Sequence, residues 1–492
     1  MTAAEPREAP PIGAAFPTRA IEGGYALLAR SSRLDVWRRL QTLEANQWRS
    51  VEELRALRWR KLQALLGHAF EHVPFYRALW TEHGVDPRRF RSEEDLGDLP
   101  VVTKRELTAG QAEDAFRLTG RPGLEQVRTS GTTGPRFAVP ATVSSFQAKY
   151  AGHLRQMYAS GWRLGMRSAS LYYSAHPQFQ GRYTGRPERD SFTWLRRAAL
   201  RLAHRRRALT PYWPAQSGDA RFPAMWYRDL ARWRPFLFET MEFNLPVLRD
   251  YIEAHDLPRV RIPRTYVLGT LGPALRAALE ACFQTEIFDR YSPHEMEGIA
   301  FACRLHRGMH VAIDSYHVEF LDDQGRRATP GETAHLVITD LDAELLPLIR
   351  YRIGDLGADD EEPCACGRGL PLMRAIQGRA ADRFALRDGR TVPPASIAAT
   401  VQDDPAVSLF QVVQDASHAI TVRVVPRSGR WTGEVPGRLQ ATLRALLGRE
   451  EAITVERVDT IPIEPTGKVA WCKRLAGEPT GAAAAVAPGG AR

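Results

Sequence analysis

The stretch from Thr265 to Tyr291 sets the fold class of this chain. The segments TYVLG (265–269) and EIFDRY (286–291) have the composition of buried strands, and apolar residues at helical spacing lie between them. Two strands joined by one helix are expected to pair in parallel, because a parallel pair needs a crossover connection of a dozen or more residues. The segment therefore predicts an α/β fold.

A polar loop follows directly after the second of these strands. It reads YSPHEMEG (291–298) and places Tyr291 and Glu295 at and beyond the carboxyl end of the strand. In open α/β sheets, ligands bind outside the carboxyl ends of the strands. We therefore expect this loop to take part in the chemistry of the protein.

The run TSGTTG, from Thr129 to Gly134, combines hydroxyl residues with two glycines. Backbone N–H groups and side-chain O–H groups of such a run can converge on one anion without obstruction by Cβ atoms. The pattern predicts a phosphate-binding loop. The alternative is an ordinary Ser/Thr/Gly loop on the surface.

Two later segments carry single residues of interest. In PLIRYRIGDLG (347–357), Asp355 is either a turn residue or a ligand for a pair of hydroxyls, and on local sequence alone the turn is preferred. In IPIEPTGKVAW (461–471), a loop marked by Pro and Gly presents Lys468, for which a plain surface lysine is the alternative.

Composition limits the classes of partner. The chain has 492 residues, 67 Lys and Arg against 57 Asp and Glu, and a formal net charge of +10. This balance favours polyanionic partners such as nucleotides or coenzyme A. No nucleic-acid-binding signature accompanies it, so we expect no nucleic acid partner.

The sequence also predicts a cytoplasmic location. The first twenty residues contain acidic residues and four prolines where a signal peptide would need an apolar run. No uninterrupted apolar stretch of about 18 residues occurs, so we expect no membrane span. Five cysteines, an odd number, argue against a disulfide framework.

Changes in composition and in hydrophobic pattern along the chain predict four regions. Residues 1–35 and 477–492 are expected to be disordered, because they are rich in Pro, Ala and Gly and poor in large apolar residues. Residues 36–378 are predicted to form the large α/β domain, which begins with a helical lead-in broken at Pro74. Residues 379–476 are predicted to form a small α+β domain that carries Lys468, with a hairpin at Asp388-Gly389.

Four clusters, TSGTTG, Y-x-x-x-E (291–295), YRIGD (351–355) and TGK (466–468), occur in the order seen in adenylate-forming enzymes. The chain resembles most closely their phenylacetate-CoA ligase and CapK-like branch. The segments EHVPFYRALW (71–80), DLPVVTKREL (98–107) and GMHVAIDSYHVEF (308–320) are also similar to that branch. The resemblance spans roughly residues 35 to 475 and implies a large AMP-binding domain and a mobile C-terminal domain.

The resemblance implies a role for each matched residue. The β and γ phosphates of ATP would contact Thr129, Ser130, Gly131, Thr132, Thr133 and Gly134. Tyr291 would lie against adenine, Asp355 would bind the ribose hydroxyls with the help of Arg379, and Glu295 would hold Mg²⁺. Lys468 would bridge the α-phosphate and the carboxylate of the acid. A lysine suits this role because it is a compact charge on a flexible stem.

The implied activity is ATP-dependent activation of a carboxylic acid. An acyl-AMP would form with release of pyrophosphate, and the acyl group would pass to coenzyme A. An aromatic or arylacetic acid is the family default, and Tyr172, Tyr173 and His176 suggest an aromatic-lined pocket. The alternatives are transfer to an amine, a carrier-protein thiol or a cofactor hydroxyl, and a non-catalytic nucleotide-binding component of a pathway.

The chain departs from the family pattern at several positions. Pro135 and Arg136 replace a lysine after the phosphate loop, and Ser292 and His294 replace a Gly and a Thr near the expected α-phosphate contact. An acidic pair at the hinge is replaced by Ala381-Asp382. The changes at Ser292 and His294 bear on the α-phosphate contact, and the change at the hinge bears on the second half-reaction.

Cysteine and histidine residues form one further pattern. Cys303, His306 and His310 lie in CRLHRGMH, and Cys364 and Cys366 form a C-x-C-G turn. Three thiolates and one imidazole fit a closed, structural zinc site, and members of the family resemble this pattern. The motif GMH favours His310 over His306 as the fourth ligand. Reduced, buried thiols without metal are the alternative.

Overall fold

The computed structural model describes residues 21–24, 35–118, 125–128, 138–172, 205–209, 219–293, 295–343, 345–462 and 469–475. Several residues named above lie outside this part of the chain, namely Thr129 to Gly134, Tyr173, His176, His294 and Lys468. Their predicted roles stay predictions.

The helices are named in chain order. The α-helices are α1 (Val36–Asn46), α2 (Val51–His72), α3 (Pro74–Glu82), α4 (Lys104–Ala112), α5 (Val143–Ala159), α6 (Arg221–Trp233), α7 (Asn244–Ala254), α8 (Pro273–Phe283), α9 (Pro394–Gln402) and α10 (Val435–Leu447). Short 3₁₀ helices span Pro87–Arg89, Glu93–Asp98 and Ala380–Asp382.

The strands follow the same convention. They are β1 (Val102–Thr103), β2 (Glu125–Arg128), β3 (Ala138–Ala141), β4 (Ser168–Leu171), β5 (Arg206–Ala208), β6 (Leu237–Met241), β7 (Arg264–Leu268), β8 (Glu286–Tyr291), β9 (Ala300–Ala302), β10 (Met309–Val311), β11 (Tyr316–Leu321), β12 (Ala334–Asp340), β13 (Tyr351–Gly357), β14 (Asp359–Asp360), β15 (Leu372–Met373), β16 (Gly378–Arg379), β17 (Phe384–Ala385), β18 (Thr391–Val392), β19 (Val407–Gln414), β20 (Ile420–Pro426), β21 (Ile453–Arg457) and β22 (Cys472–Arg474).

The predicted strand, helix, strand unit is present as β7, α8 and β8. The two strands pair in parallel, with Arg264 opposite Glu286, so the α/β prediction is confirmed. The parallel strands run in the order β5, β4, β6, β7, β8, and the sheet continues through β9 and β10 with antiparallel pairing. The carboxyl ends of β4, β6, β7 and β8 consequently lie along one edge.

A second sheet brings the YRIGD cluster to this edge. Strand β13 pairs with β12 on one side and with β1 and β16 on the other. The packing of helices α2 and α3 against the sheets contributes to one large apolar core. In that core the hydroxyl of buried Tyr76 donates to the carbonyl of Pro347 at 2.6 Å.

Local capping signals explain where two helices begin. Ser50 and Glu53 form a capping box at α2, and Thr103 and Glu106 form another at α4. Pro74 is the first residue of α3, as the predicted break requires. The lead-in has a second break between α1 and α2 that local periodicity did not indicate.

The described residues after Asp382 form what we call the C-terminal unit. Strands β21, β20, β19 and β22 form one sheet, and α9 and α10 contribute to an apolar core of its own. Strands β17 and β18 pair in antiparallel around the predicted turn at Asp388-Gly389. The domain boundary at residue 379 stays a prediction.

Among the described residues, no helix combines the length and the apolar character needed to cross a lipid bilayer. The longest, α2, carries many charged side chains.

Candidate active site

Three of the predicted nucleotide ligands lie together at the carboxyl end of β8. The hydroxyl of Tyr291 donates to Asp355 Oδ2 at 2.7 Å, and Arg379 Nε lies 3.6 Å from Asp355 Oδ1. Asp355 and Arg379 are opposite each other in the pairing of β13 with β16. The set combines an aromatic ring, a carboxylate and a half-exposed guanidinium, which suits a ribose with its base.

The local prediction of a turn at Asp355 is wrong. Asp355 lies inside β13, between residues that pair with β12 and β16. Gly354 takes a φ of 93°, which is the local irregularity that the Gly-Asp sequence indicated. The strand prevails because its pairing partners come from elsewhere in the chain, and local sequence carries no information on them.

Glu295 lies on the loop after β8 and is only 9% exposed. Burial raises the pKa of its carboxyl above the ordinary value, against the lowering effect of its own backbone N–H and of Lys104. Burial in turn lowers the pKa of Lys104, against the effect of Glu295. Lys149 Nζ donates to the main-chain carbonyl of Glu295 at 2.6 Å.

Lys104 and Lys149 were not singled out in the sequence. Lys104 is the first residue of α4, inside the segment DLPVVTKREL, and Lys149 lies on α5, which follows the TSGTTG run. The similarity of DLPVVTKREL to the family was therefore the one sequence signal close to Lys104. Both lysines place positive charge near Glu295.

Two strands and a helix flank the TSGTTG run in sequence. Strands β2 and β3 pair in antiparallel on either side of it, with Arg128 opposite Ala138. Helix α5 follows, and the hydroxyl of Thr142 accepts from the backbone N–H of Ser145 as its N-terminal cap. Lys149 and its contact with Glu295 show that α5 packs beside the loop after β8.

A buried charged network lies beneath the same edge of the sheet. Arg290 on β8 donates to Glu239 on β6 at 2.8 Å and to the hydroxyl of Tyr172 at 2.6 Å. Arg206 and His153 lie 3.3 and 3.4 Å from the carboxylate of Glu239. Burial by itself raises the pKa of Glu239, but the guanidinium groups of Arg206 and Arg290 and the ring of His153 lower it to about 2. The network fixes β6 and β8 relative to α5.

The four predicted zinc ligands meet in space. The ligand atoms of Cys303, His310, Cys364 and Cys366 all lie within 4.8 Å of one another. Cys303 Sγ lies 3.7 Å from Cys364 Sγ, and Cys366 Sγ lies 3.3 Å from His310 Nε2. Around a tetrahedral zinc ion, ligand atoms are about 3.5 to 3.8 Å apart, given zinc–sulfur bonds of about 2.3 Å. The residues therefore fit this metal.

The surroundings of His310 support its place in the cluster. Its Nδ1 lies 2.9 Å from the carbonyl of Leu370, a contact that fixes Nδ1 as the protonated nitrogen and leaves Nε2 for a metal. His306 is elsewhere, with its Nε2 3.0 Å from Glu286 Oε1. A hydrogen bond shared with Cys303 lowers the pKa of the Cys366 thiol, which favours the thiolate form that ligates a metal.

The turn that carries Cys364 and Cys366 is fastened to the junction between α1 and α2. Gly369 N donates to the carbonyl of Gln47 at 2.9 Å, and Arg368 Nε donates to Gln47 Oε1 at 3.0 Å. A side chain at Gly369 would overlap the carbonyl of Arg49. Glycine is therefore required there.

The chain is similar in sequence to known proteins. No profile of a known protein family matches the chain. The phenylacetate-coenzyme A ligase of Thermus thermophilus is 29% identical over 361 residues, which cover 71% of this chain and 75% of that protein. The phenylacetate-coenzyme A ligase of Aromatoleum evansii is 26% identical over 391 residues, or 77% of this chain and 83% of that protein.

Solved structures share the fold at lower identity. A 2-hydroxyisobutyryl-CoA ligase in complex with 2-HIB-AMP superposes with a TM-score of 0.71 at 22% identity. The match covers 87% of this chain and 90% of that one. The mixed α/β architecture described above is therefore that of a known class of ligases.

Proposed function

This chain belongs to the adenylate-forming superfamily, in its phenylacetate-CoA ligase-like branch, and from this premise we propose that it joins a carboxylic acid to coenzyme A at the expense of ATP. The observation that carries the proposal is the meeting of Tyr291, Asp355 and Arg379 beside Glu295. An aromatic or arylacetic acid is the proposed substrate, because the matched relatives are phenylacetate ligases.

In the proposed first step, a carboxylate oxygen of the acid attacks the α-phosphorus of ATP. The bond to the β-phosphate breaks, pyrophosphate leaves, and a mixed anhydride with AMP remains. Thr129 to Gly134 would hold the departing phosphates. Lys468 would place its ammonium group between the two anions, where charge builds up in the transition state.

Tyr291 and Asp355 hold the nucleoside in this proposal. The carboxylate of Asp355 already accepts one hydrogen bond from Tyr291, and its second oxygen faces Arg379. Ribose hydroxyls would donate to this carboxylate, and the ring of Tyr291 would lie along adenine. His294 would stand close to the α-phosphate.

In the proposed second step, the thiolate of coenzyme A attacks the acyl carbon, and AMP leaves. Lys468 must withdraw to make room, which rotation of the C-terminal unit about Arg379 to Asp382 would achieve. Asp382 lies in the 3₁₀ helix at this point, and burial raises the pKa of its carboxyl against the charges of Arg379 and Lys473.

Exchange of pyrophosphate into ATP across a panel of acids tests the proposal. We expect exchange that depends on an aromatic or arylacetic acid, followed by thioester formation when coenzyme A is added. Competition among coenzyme A, amines and a carrier-protein thiol would identify the acceptor. Absence of exchange with every acid would favour a non-catalytic nucleotide-binding protein.

Asp355→Asn is expected to raise the KM for ATP in the exchange reaction by about 10- to 100-fold, with a smaller effect on kcat. The amide keeps an acceptor for Tyr291 but loses the charge that strengthens hydrogen bonds from the ribose. Asp359→Asn is the matched control, because Asp359 lies on neighbouring β14 and accepts from Gly331 N. An unchanged KM in Asp355→Asn would remove the ribose assignment.

Glu295 is the proposed ligand for Mg²⁺, which when bound neutralises phosphate charge and orients the triphosphate. Its carboxylate is buried beside Lys104. Glu295→Gln is expected to raise the Mg²⁺ concentration for half-maximal exchange by about tenfold or more, because an amide is a weaker ligand than a carboxylate. This concentration is measured by titrating the exchange reaction with Mg²⁺ at saturating ATP. An unchanged Mg²⁺ concentration for half-maximal exchange would contradict the assignment.

We also propose that Cys303, His310, Cys364 and Cys366 bind a structural zinc ion. Three thiolates and one imidazole occupy all four tetrahedral positions, so no position is open for a substrate. The site would fasten the turn at Cys364 to β10, which carries His310, and to the end of β9, which Cys303 follows directly.

A further inference from the structure

The C-terminal unit contacts the large α/β unit through an indole that is close in sequence to the late lysine. Trp471 Nε1 donates to Glu242 Oε1 at 2.6 Å. The Trp471 ring stacks on Phe410 of its own unit at 4.7 Å between centroids, and it meets Phe243 of the large unit at 6.3 Å and 61°. The indole is therefore held by rings from both units and by one charged acceptor.

Glu242 lies at the sheet edge where the nucleotide ligands meet. It follows β6 directly, and β6, β7 and β8 are adjacent parallel strands. Neighbouring strands are about 4.8 Å apart, so Glu242 and Tyr291 are separated by about 10 Å across the sheet. The contact with Trp471 thus lies beside the proposed nucleotide site.

The carboxylate of Glu242 is buried where Trp471 contacts it. Glu242 is 8% exposed, and Gly269, with a φ of 121°, leaves the space that the side chain occupies. A Cβ atom at residue 269 would overlap the carboxylate. A carboxylate removed from water in this way needs donors, and the indole N–H supplies a charge-assisted hydrogen bond.

The covalent chain links this contact to the lysine. Lys468 precedes Trp471 by three residues, so their Cα atoms are at most about 11 Å apart. Val469, next to the lysine, packs in an apolar cluster with Tyr172 and Met241 of the large unit. Docking of Val469 and Trp471 therefore limits where the backbone of Lys468 can be.

We propose that the Glu242–Trp471 hydrogen bond positions Lys468 for the first half-reaction and breaks before the second. The inference rests on the proposed function, in which the lysine acts on the forming acyl-adenylate. Glu242 and Trp471 are positioning residues, because they contact the chain that carries the lysine. Loss of their contact should slow adenylation and spare thioester formation.

Trp471→Phe tests this, because it keeps the ring that stacks on Phe410 and removes the N–H donor. We expect kcat for acid-dependent exchange to fall by about 10- to 100-fold, the loss that a hydrogen bond to a charged group predicts. The rate of thioester formation from acyl-adenylate and coenzyme A should stay within about twofold of the parent's, because the contact is proposed to act only in the first step. Trp431→Phe is the matched control, since Trp431 packs in the core of the C-terminal unit.

Two variants of Glu242 separate positioning from packing. Glu242→Gln keeps an acceptor and should retain more exchange activity than Glu242→Ala. Exchange within twofold of the parent in Trp471→Phe would overturn the proposal. So would an equal loss in both half-reactions together with a lowered Tm, because that result marks a purely structural role.

Hydrogen–deuterium exchange gives a readout without turnover. Amides of residues 469–475 should exchange faster in Trp471→Phe than in the parent and in Trp431→Phe. Equal exchange in all three proteins would overturn the inference. A parent that docks in this way but shows no pyrophosphate exchange with any acid would instead refute the proposed function.

Discussion

Replacing Lys468 with alanine is expected to lower acid-dependent exchange of pyrophosphate into ATP by about 10²- to 10³-fold. The ammonium group is proposed to lie between the carboxylate and the α-phosphate, where charge accumulates only as the bond forms. Its removal should therefore lower kcat and leave the KM for ATP nearly unchanged. Initial exchange rates at saturating acid measure the effect.

Lys473→Ala is the matched control for this prediction. Lys473 lies on β22 in the same unit, and its charge lowers the pKa of Asp382. Its exchange rate should stay within about threefold of the parent's, since no proposed ligand is lost. Exchange that is unaffected in Lys468→Ala would remove the lysine from the mechanism, whatever the control shows.

Replacing Cys364 and Cys366 together with serine is expected to remove bound zinc and to lower the free energy of unfolding by more than about 4 kcal/mol. Two of four ligands are lost, and the remaining thiol and imidazole cannot hold the metal alone. Elemental analysis of the purified protein should give about one zinc per chain in the parent. Denaturant unfolding measures the change in stability.

Cys282→Ala is the control for the metal measurement. Cys282 is a buried thiol on α8, in a core cluster separate from the four ligands, so its removal should leave the zinc content unchanged. Full zinc content in the double serine variant would reject the site. A zinc-free parent, purified without chelators from zinc-supplemented cells, would reject it equally.

Much of the fold followed from local sequence patterns. The segment 265–291 placed β7 and β8 within a residue of their ends, with α8 between them. These elements are recognisable because their periodicity reports which face is buried. Asp355 was mistaken for a turn residue, because its place in β13 depends on pairing with strands that are distant in sequence.

The candidate site was predictable only in part, for the same reason. Tyr291, Asp355 and Arg379 were inferred from the order of motifs, and the structure brings them together. The network around Glu239 was not foreseen, because its members come from α5, β5, β6 and β8 and share no local pattern. Lys149 was missed as well, because the sequence of a helix does not distinguish a lysine that lies at a site from one that faces solvent.

The hydrogen bonds from Arg368 and Gly369 to Gln47 have a consequence for synthesis of the chain. They join residues 321 and 322 positions apart, so the junction between α1 and α2 gains these partners only after three quarters of the protein has been made. At about 5 to 20 residues per second, the ribosome takes roughly 15 to 65 seconds to cover that distance. The junction between α1 and α2 is therefore without these two hydrogen bonds for that interval, and it can take its final arrangement only late in synthesis.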